Sequence, residues 1–124
     1  MVSVLATDGY KLSMAEAGWP LRRETFHYSH RRGGPQLVPF DVERELRALC
    51  PAPVADDYAF LLQHEYELGA GFKAAIARAG ELSVQALPKG AVFFGREPVF
   101  SVTGPSALVS WLEPLLLQWS YRIQ

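Results

Sequence analysis

The sequence has one cysteine, Cys50, among 124 residues. That excludes an internal disulfide and any cysteine-rich metal centre, and suits a reducing, cytoplasmic setting. Long apolar runs are missing. Nothing approaches the roughly 18 residues that would suggest a membrane span, and Met1 to Leu5 lack the basic start and apolar stretch of a signal peptide. Excess charge of one sign is missing too. Twelve basic and thirteen acidic residues leave a net charge of −1, so there is no global pull toward nucleic acid or a membrane surface. There is no Gly-x-Ser-x-Gly elbow, no Walker-type phosphate loop and no dinucleotide glycine fingerprint. Repeats and low-complexity tracts are absent. What is present is ordinary globular material, 49% hydrophobic and 20% charged, enough for one domain with its own core.

Helix and strand signals alternate along the chain. A first helix is expected near Thr7 or Asp8, either of which can cap its free amides. Tyr10, Met14 and Ala17 fall at helical spacing, and Gly18 and Pro20 end the segment. Thr25 to His30 reads as a strand, stopped by Gly33-Gly34-Pro35. Phe40 to Leu49 reads as a helix capped by Asp41, with Val42, Leu46 and Leu49 on one face. After the Cys50-Pro51-Ala52-Pro53 break, Ala55 to Tyr66 is expected to be helical with Tyr58, Leu61 and Leu62 inward. Phe72 to Ala79 follows as a short helix. Leu82 to Leu87, Ala91 to Phe94 and Val99 to Thr103 are β-like runs separated by glycine and proline turns.

Ser106 to Gln124 carries a helical stripe of Leu108, Leu112, Leu115, Trp119 and Ile123, while Val109, Trp111, Leu116, Leu117 and Tyr121 cover much of the remaining circumference. A helix apolar nearly all round is buried on several sides. It also stops without a Gly or Asn cap. The expectation is that the polypeptide is cut here or that a partner covers Leu115, Leu116, Trp119 and Ile123, giving a homodimer or higher oligomer. Pro114 should kink this helix or mark its effective start.

Three segments carry chemistry. Thr7-Asp8-Gly9-Tyr10-Lys11 places a carboxylate, a phenol and an ammonium within one turn; read alone, it is a capped amphipathic helix. Arg22, Arg23, Arg31 and Arg32 bracket a strand, and their guanidinium forks suit phosphate oxygens; read alone, it is a solvated strand. Leu87 to Pro105 is turn-rich β scaffold. His27, His30 and His64 make no metal site, because strand positions three apart face opposite ways. Cys50 reads as a structural thiol. Asp56-Asp57 and the Glu65/Glu67 pair read as surface charge.

Together these segments resemble the start of the nicotinate/nicotinamide phosphoribosyltransferase family, in its bacterial nicotinate form. Thr7-Asp8-Gly9-Tyr10-Lys11 with Met14 matches the opening motif. Thr25 to Arg31 is similar to the aromatic strand ending in arginine. Glu97 to Pro105, followed by Leu112-Glu113 and Leu115-Leu116-Leu117, is similar to the passage leading into the catalytic barrel. Ser120 departs from the family, which commonly has Asn there.

The resemblance implies an α+β fold: the small N-terminal α/β domain of the type II phosphoribosyltransferases, helices packed on short, mostly antiparallel strands, without the catalytic barrel. Residues 1–105 would form that domain, and 106–124 the start of an apolar linking helix toward a barrel domain. The resemblance also implies transfer of phosphoribosyl from phosphoribosyl pyrophosphate to nicotinate or nicotinamide in NAD salvage, with magnesium and ATP used by the family and none bound by this segment. The subunits would pair head to tail. Tyr10 would stack on the pyridine, Asp8 would lie near its substituent, and Arg31 would reach phosphates. No catalytic or metal residue lies in this stretch, so these residues alone are not expected to turn over. Two alternatives remain: a non-enzymatic binding or regulatory module that pairs with a full-length relative, and an unrelated β-barrel carrier domain using Lys89.

Overall fold

Prolines and glycines set the limits of the strands. The computed structural model describes residues 3–18, 22–49 and 55–123. Strand β1 (Arg23–Ser29) lies antiparallel to β5 (Pro98–Pro105), which is in turn antiparallel to β3 (Ser83–Ala86), in the order β1-β5-β3. Central β5 begins and ends on proline, where a missing amide is tolerated, and its Val99, Phe100 and Val102 are buried. Thr25 faces Thr103 in register, and their hydroxyls meet at 2.7 Å. A two-stranded antiparallel sheet joins β2 (Gln36–Leu37) to β4 (Val92–Phe93). Gly90, with a φ of 85°, makes the turn into β4.

Among the described residues, five α-helices pack around these sheets: α1 (Gly9–Glu16), α2 (Val42–Ala48), α3 (Ala55–Gln63), α4 (Ala70–Ala77) and α5 (Ser106–Ser120). The class is α+β, and every described strand pairing is antiparallel. Asp41 caps α2 as expected, its carboxylate accepting from the Arg44 amide at 3.1 Å. No helix among the described residues is long and apolar enough to cross a membrane. Cys50, the Pro51 to Pro53 break and Pro20 lie outside the described residues.

Three expectations need correction. In α1 the buried residues are Lys11 and Ala15, while Tyr10 and Met14 are exposed. In α3 Leu61 is buried but Leu62 points to solvent, and the helix ends at Gln63, short of Tyr66. At the C-terminal end, Trp119 of α5 and Ile123 in the 3-10 turn after it need no partner to cover them, being only 5% and 4% exposed. Trp119 sits edge-on between Phe40 and Phe100, and the Arg122 guanidinium lies over the Phe40 ring at 4.9 Å. Leu115 and Leu116 are partly buried against the core, and Leu117, at 52% exposure, faces solvent. Pro114 lies inside one continuous 15-residue helix.

The start of α5 is held by β1. The Ser106 amide donates to Arg22 O at 2.7 Å, and the Ser106 hydroxyl donates to Glu24 Oε2 at 2.9 Å. Glu24 also accepts from Arg22 Nε at 2.6 Å. A carboxylate here also complements the positive end of the helix dipole. The Ser106 hydroxyl first, then Arg22, holds the Glu24 carboxyl below its ordinary range. A folded-state pKa below the unfolded one adds stability above the unfolded value, and that stability is lost as pH falls through the folded one. Glu24→Gln should therefore be less stable than wild type at neutral pH. The gap should close as the pH drops below the usual carboxylate range, read by urea unfolding across a pH series.

Candidate functional site

The N-terminal stretch is latched to one turn of α5. Trp111 Nε1 donates to Val4 O at 2.9 Å, and Thr7 Oγ1 donates to Trp111 O at 2.9 Å. Lys11 Nζ donates to Ser110 O at 2.6 Å and to Glu113 Oε2 at 3.1 Å, and lies 3.6 Å from Asp8 Oδ2. Asp8 is the N-terminal boundary residue of α1, but its side chain takes no helix amide; it turns to Lys11 instead. Asp8 and Tyr10 are thus neighbours around one ammonium, which lies 5.6 Å from the Tyr10 ring centre. Tyr10 is 59% exposed, so its ring can take a partner.

Arg31 stands elsewhere. Two adjoining hollows run between β1 and α5 and share His27, Tyr28 and Leu117. One, about 360 Å³, is largely apolar, with Glu113 on its wall. The other, about 940 Å³, is lined by Arg31, Arg32, His30, Gln36, Ser120 and Tyr121 among others. The loop carrying Arg31 is fixed on both sides: the Arg96 amide donates to His30 O at 2.6 Å, and Gly95 lies against the Arg32 and Gly33 backbone. A Cβ at Gly95 would come within 3.2 Å of Arg32 C and Gly33 O, so the close approach favours glycine. Gly33, with φ 128°, makes the bend that follows. Arg31 and Arg32 are exposed and form the cationic end of the groove.

Asp8 and Tyr10 line neither hollow. The fold therefore gathers Asp8 and Tyr10 at Lys11 and leaves Arg31 at the far end of the groove. Carboxylates Asp8 and Glu113 mark one region, and guanidinium groups the other. Sequence reasoning grouped the Lys11 ammonium with Asp8 and Tyr10 but missed its burial and its pairing with Glu113. The available signal was Pro114: a proline within a helix leaves the carbonyl four residues earlier without its amide donor. A side chain from elsewhere has to approach that point.

Among the described residues, no group of three or more His, Cys, Asp or Glu side chains could hold a metal ion. His27 in β1 is exposed and His30, just past the strand, is buried, and the His64 ring lies tilted against Phe60 with ring centres 4.5 Å apart.

No protein-family model matches the sequence, and no curated protein does. Among solved structures, human nicotinic acid phosphoribosyltransferase matches with a TM-score of 0.67 and 28% identity, over 95% of this chain. The chain spans 25% of that enzyme's length. The likeness seen in three motifs thus extends along nearly all of the residues, and the fold is that of a quarter of a nicotinic acid phosphoribosyltransferase.

Proposed function

We propose that this chain is the N-terminal segment of a nicotinate phosphoribosyltransferase of NAD salvage, lending Asp8, Tyr10 and Arg31 to a composite site. The observation that carries the reading is an architecture that matches such an enzyme over 95% of this chain. Tyr10 and Arg31 are exposed and unabsorbed by the core. A phenol ring standing in solvent can stack on a pyridine. Asp8, beside it, can accept a hydrogen bond from a substituent of that ring. Arg31 can grip phosphate oxygens with two parallel N–H donors.

Transfer forms a bond from the pyridine nitrogen to the ribose anomeric carbon as the pyrophosphate leaves. That chemistry needs both reactants held in line and the departing negative charge stabilised. One carboxylate, one phenol and one guanidinium cannot do this. The remaining groups would come from residues beyond these 124 and from a second subunit, in a cytoplasmic homodimer. Nicotinate and phosphoribosyl pyrophosphate would be the substrates, and the family's magnesium and ATP would be held by those other residues.

The test is a chimera in which this chain replaces the matching quarter of the human enzyme. The chimera should form the nicotinate nucleotide, whereas the 124 residues alone should form none. Tyr10→Ala in the chimera should lower kcat/KM about tenfold, the scale of a lost aromatic stacking contact. A chimera that folds and assembles but transfers nothing, or one indifferent to Tyr10→Ala, overturns the reading.

A further inference from the structure

Lys11 is 1% exposed, an unusual state for an ammonium. Its ion-pair partners do not account for it. The Asp8 and Glu113 side chains are 50% and 46% exposed, and carboxylates this wet add little to stability. Removing an ammonium from water costs several kcal/mol by comparison, on the order of the penalty for any buried ion. Some further interaction must keep it inside.

Pro114 supplies the reason. Position 114 of a regular helix would donate its amide to Ser110 O, and proline has no amide to give. The oxygen left without that donor is the one Lys11 Nζ meets at 2.6 Å, its shortest contact. The next carbonyl along the helix, Trp111 O, accepts from Thr7 Oγ1. The first turn of α1 and the residues just before it therefore supply side-chain donors to two successive carbonyls beside the proline.

We propose that Lys11 is a positioning residue: its ammonium replaces the donor that Pro114 withholds from Ser110 O, and so fixes where α1 presents Asp8 and Tyr10. Lysine suits the role because a compact ammonium has three donors. One goes to the carbonyl, and the others face Glu113 and Asp8. Asp8 is thereby turned away from the α1 amides, and Tyr10 is turned outward on the neighbouring position. The inference rests on the proposed function only for what Asp8 and Tyr10 do to a ligand. The latch itself is a property of this chain.

A double-mutant cycle in the 124-residue chain tests it, using Lys11→Met and Pro114→Ala with urea unfolding. Lys11→Met alone should raise the unfolding equilibrium constant about tenfold or more, as expected for a lost charged hydrogen bond. In the Pro114→Ala background, the restored amide serves Ser110 O and the penalty should shrink by about tenfold. An equal penalty in both backgrounds means a plain ion pair and overturns the proposal. NMR provides the positioning readout. The Tyr10 ring signals should move in Lys11→Met and return toward wild type in the double variant; signals that stay put overturn it. Should Lys11→Met fail to fold, the unmodified chain still decides. Its Lys11 ammonium protons should be protected from exchange and coupled to the Ser110 carbonyl, and a freely exchanging ammonium sinks the idea. None of these measurements involves nicotinate, so a failed chimera would leave the latch untouched.

Discussion

Trp111→Ala should remove about 3–5 kcal/mol of stability, the range for losing a large buried aromatic. Domains of this kind hold only about 5–15 kcal/mol in all, so the variant should sit near its unfolding threshold. Two separate losses combine. The indole is 1% exposed and packs on Phe72 with ring centres 4.8 Å apart, so truncation opens a cavity between α4 and α5. The indole N–H also donates to the carbonyl of Val4, itself fully buried. Without that donor a buried acceptor is left unpaired, which costs about 1–3 kcal/mol. Trp111→Phe separates the two: it keeps most of the packing and loses the hydrogen bond. Urea unfolding should place Phe between wild type and Ala. A Phe variant as stable as wild type would mean that the Val4 contact contributes nothing. In both variants the N-terminal stretch should also loosen, because Val4 and Thr7 are both tied to Trp111, one through the indole and the other through the carbonyl.

What could be read from the sequence follows the range of the interactions involved. Asp41 was legible because its cap closes over three residues. The β runs were legible because glycine and proline punctuate them, although β5 extends to Pro98–Pro105, beyond the Val99 to Thr103 run. Prolines fit its ends. The inward face of α1 was not legible. A hydrophobicity pattern counts Lys11 as outward and Tyr10 as inward, and the reverse holds because of a proline about one hundred residues away. In α5 the pattern gave burial correctly and its agent wrongly. Nothing in the spacing of Trp119 says that Phe40, Phe100 and Arg122 will enclose it. Of the candidate site, Tyr10 and Arg31 stood out as chemistry on local motifs, and both are exposed. Lys11 stood in the same motif as Tyr10, but its pairing with Glu113 was not legible, since that is a tertiary event.

Gly104→Ala tests why a glycine sits near the end of the β1–β5 antiparallel ladder. Glycine usually weakens a strand, and Gly104 has no positive φ to require it. The reason is steric. A Cβ there would collide with Leu82 Cδ2 and lie 3.6 Å from Val109 Cγ2. Leu82 and Val109 are both buried, so Leu82 must move within a packed core. Of the spaces Leu82 lines, one on the core side measures about 10 Å³, too little for a displaced methyl group, and the other, shared with Gly104, is a hollow of about 450 Å³, so Leu82 gives way only by leaving its core packing. Overpacking of this kind costs about 1–3 kcal/mol. That outweighs the gain of roughly 0.5–1 kcal/mol from replacing a flexible glycine. Leu82→Ala should change the sign of the effect. With the isobutyl group gone, the added methyl has space, and Gly104→Ala should become neutral or stabilising in that background. Additive penalties across the cycle would show that the glycine is needed for some reason other than the close approach of Leu82 to β5.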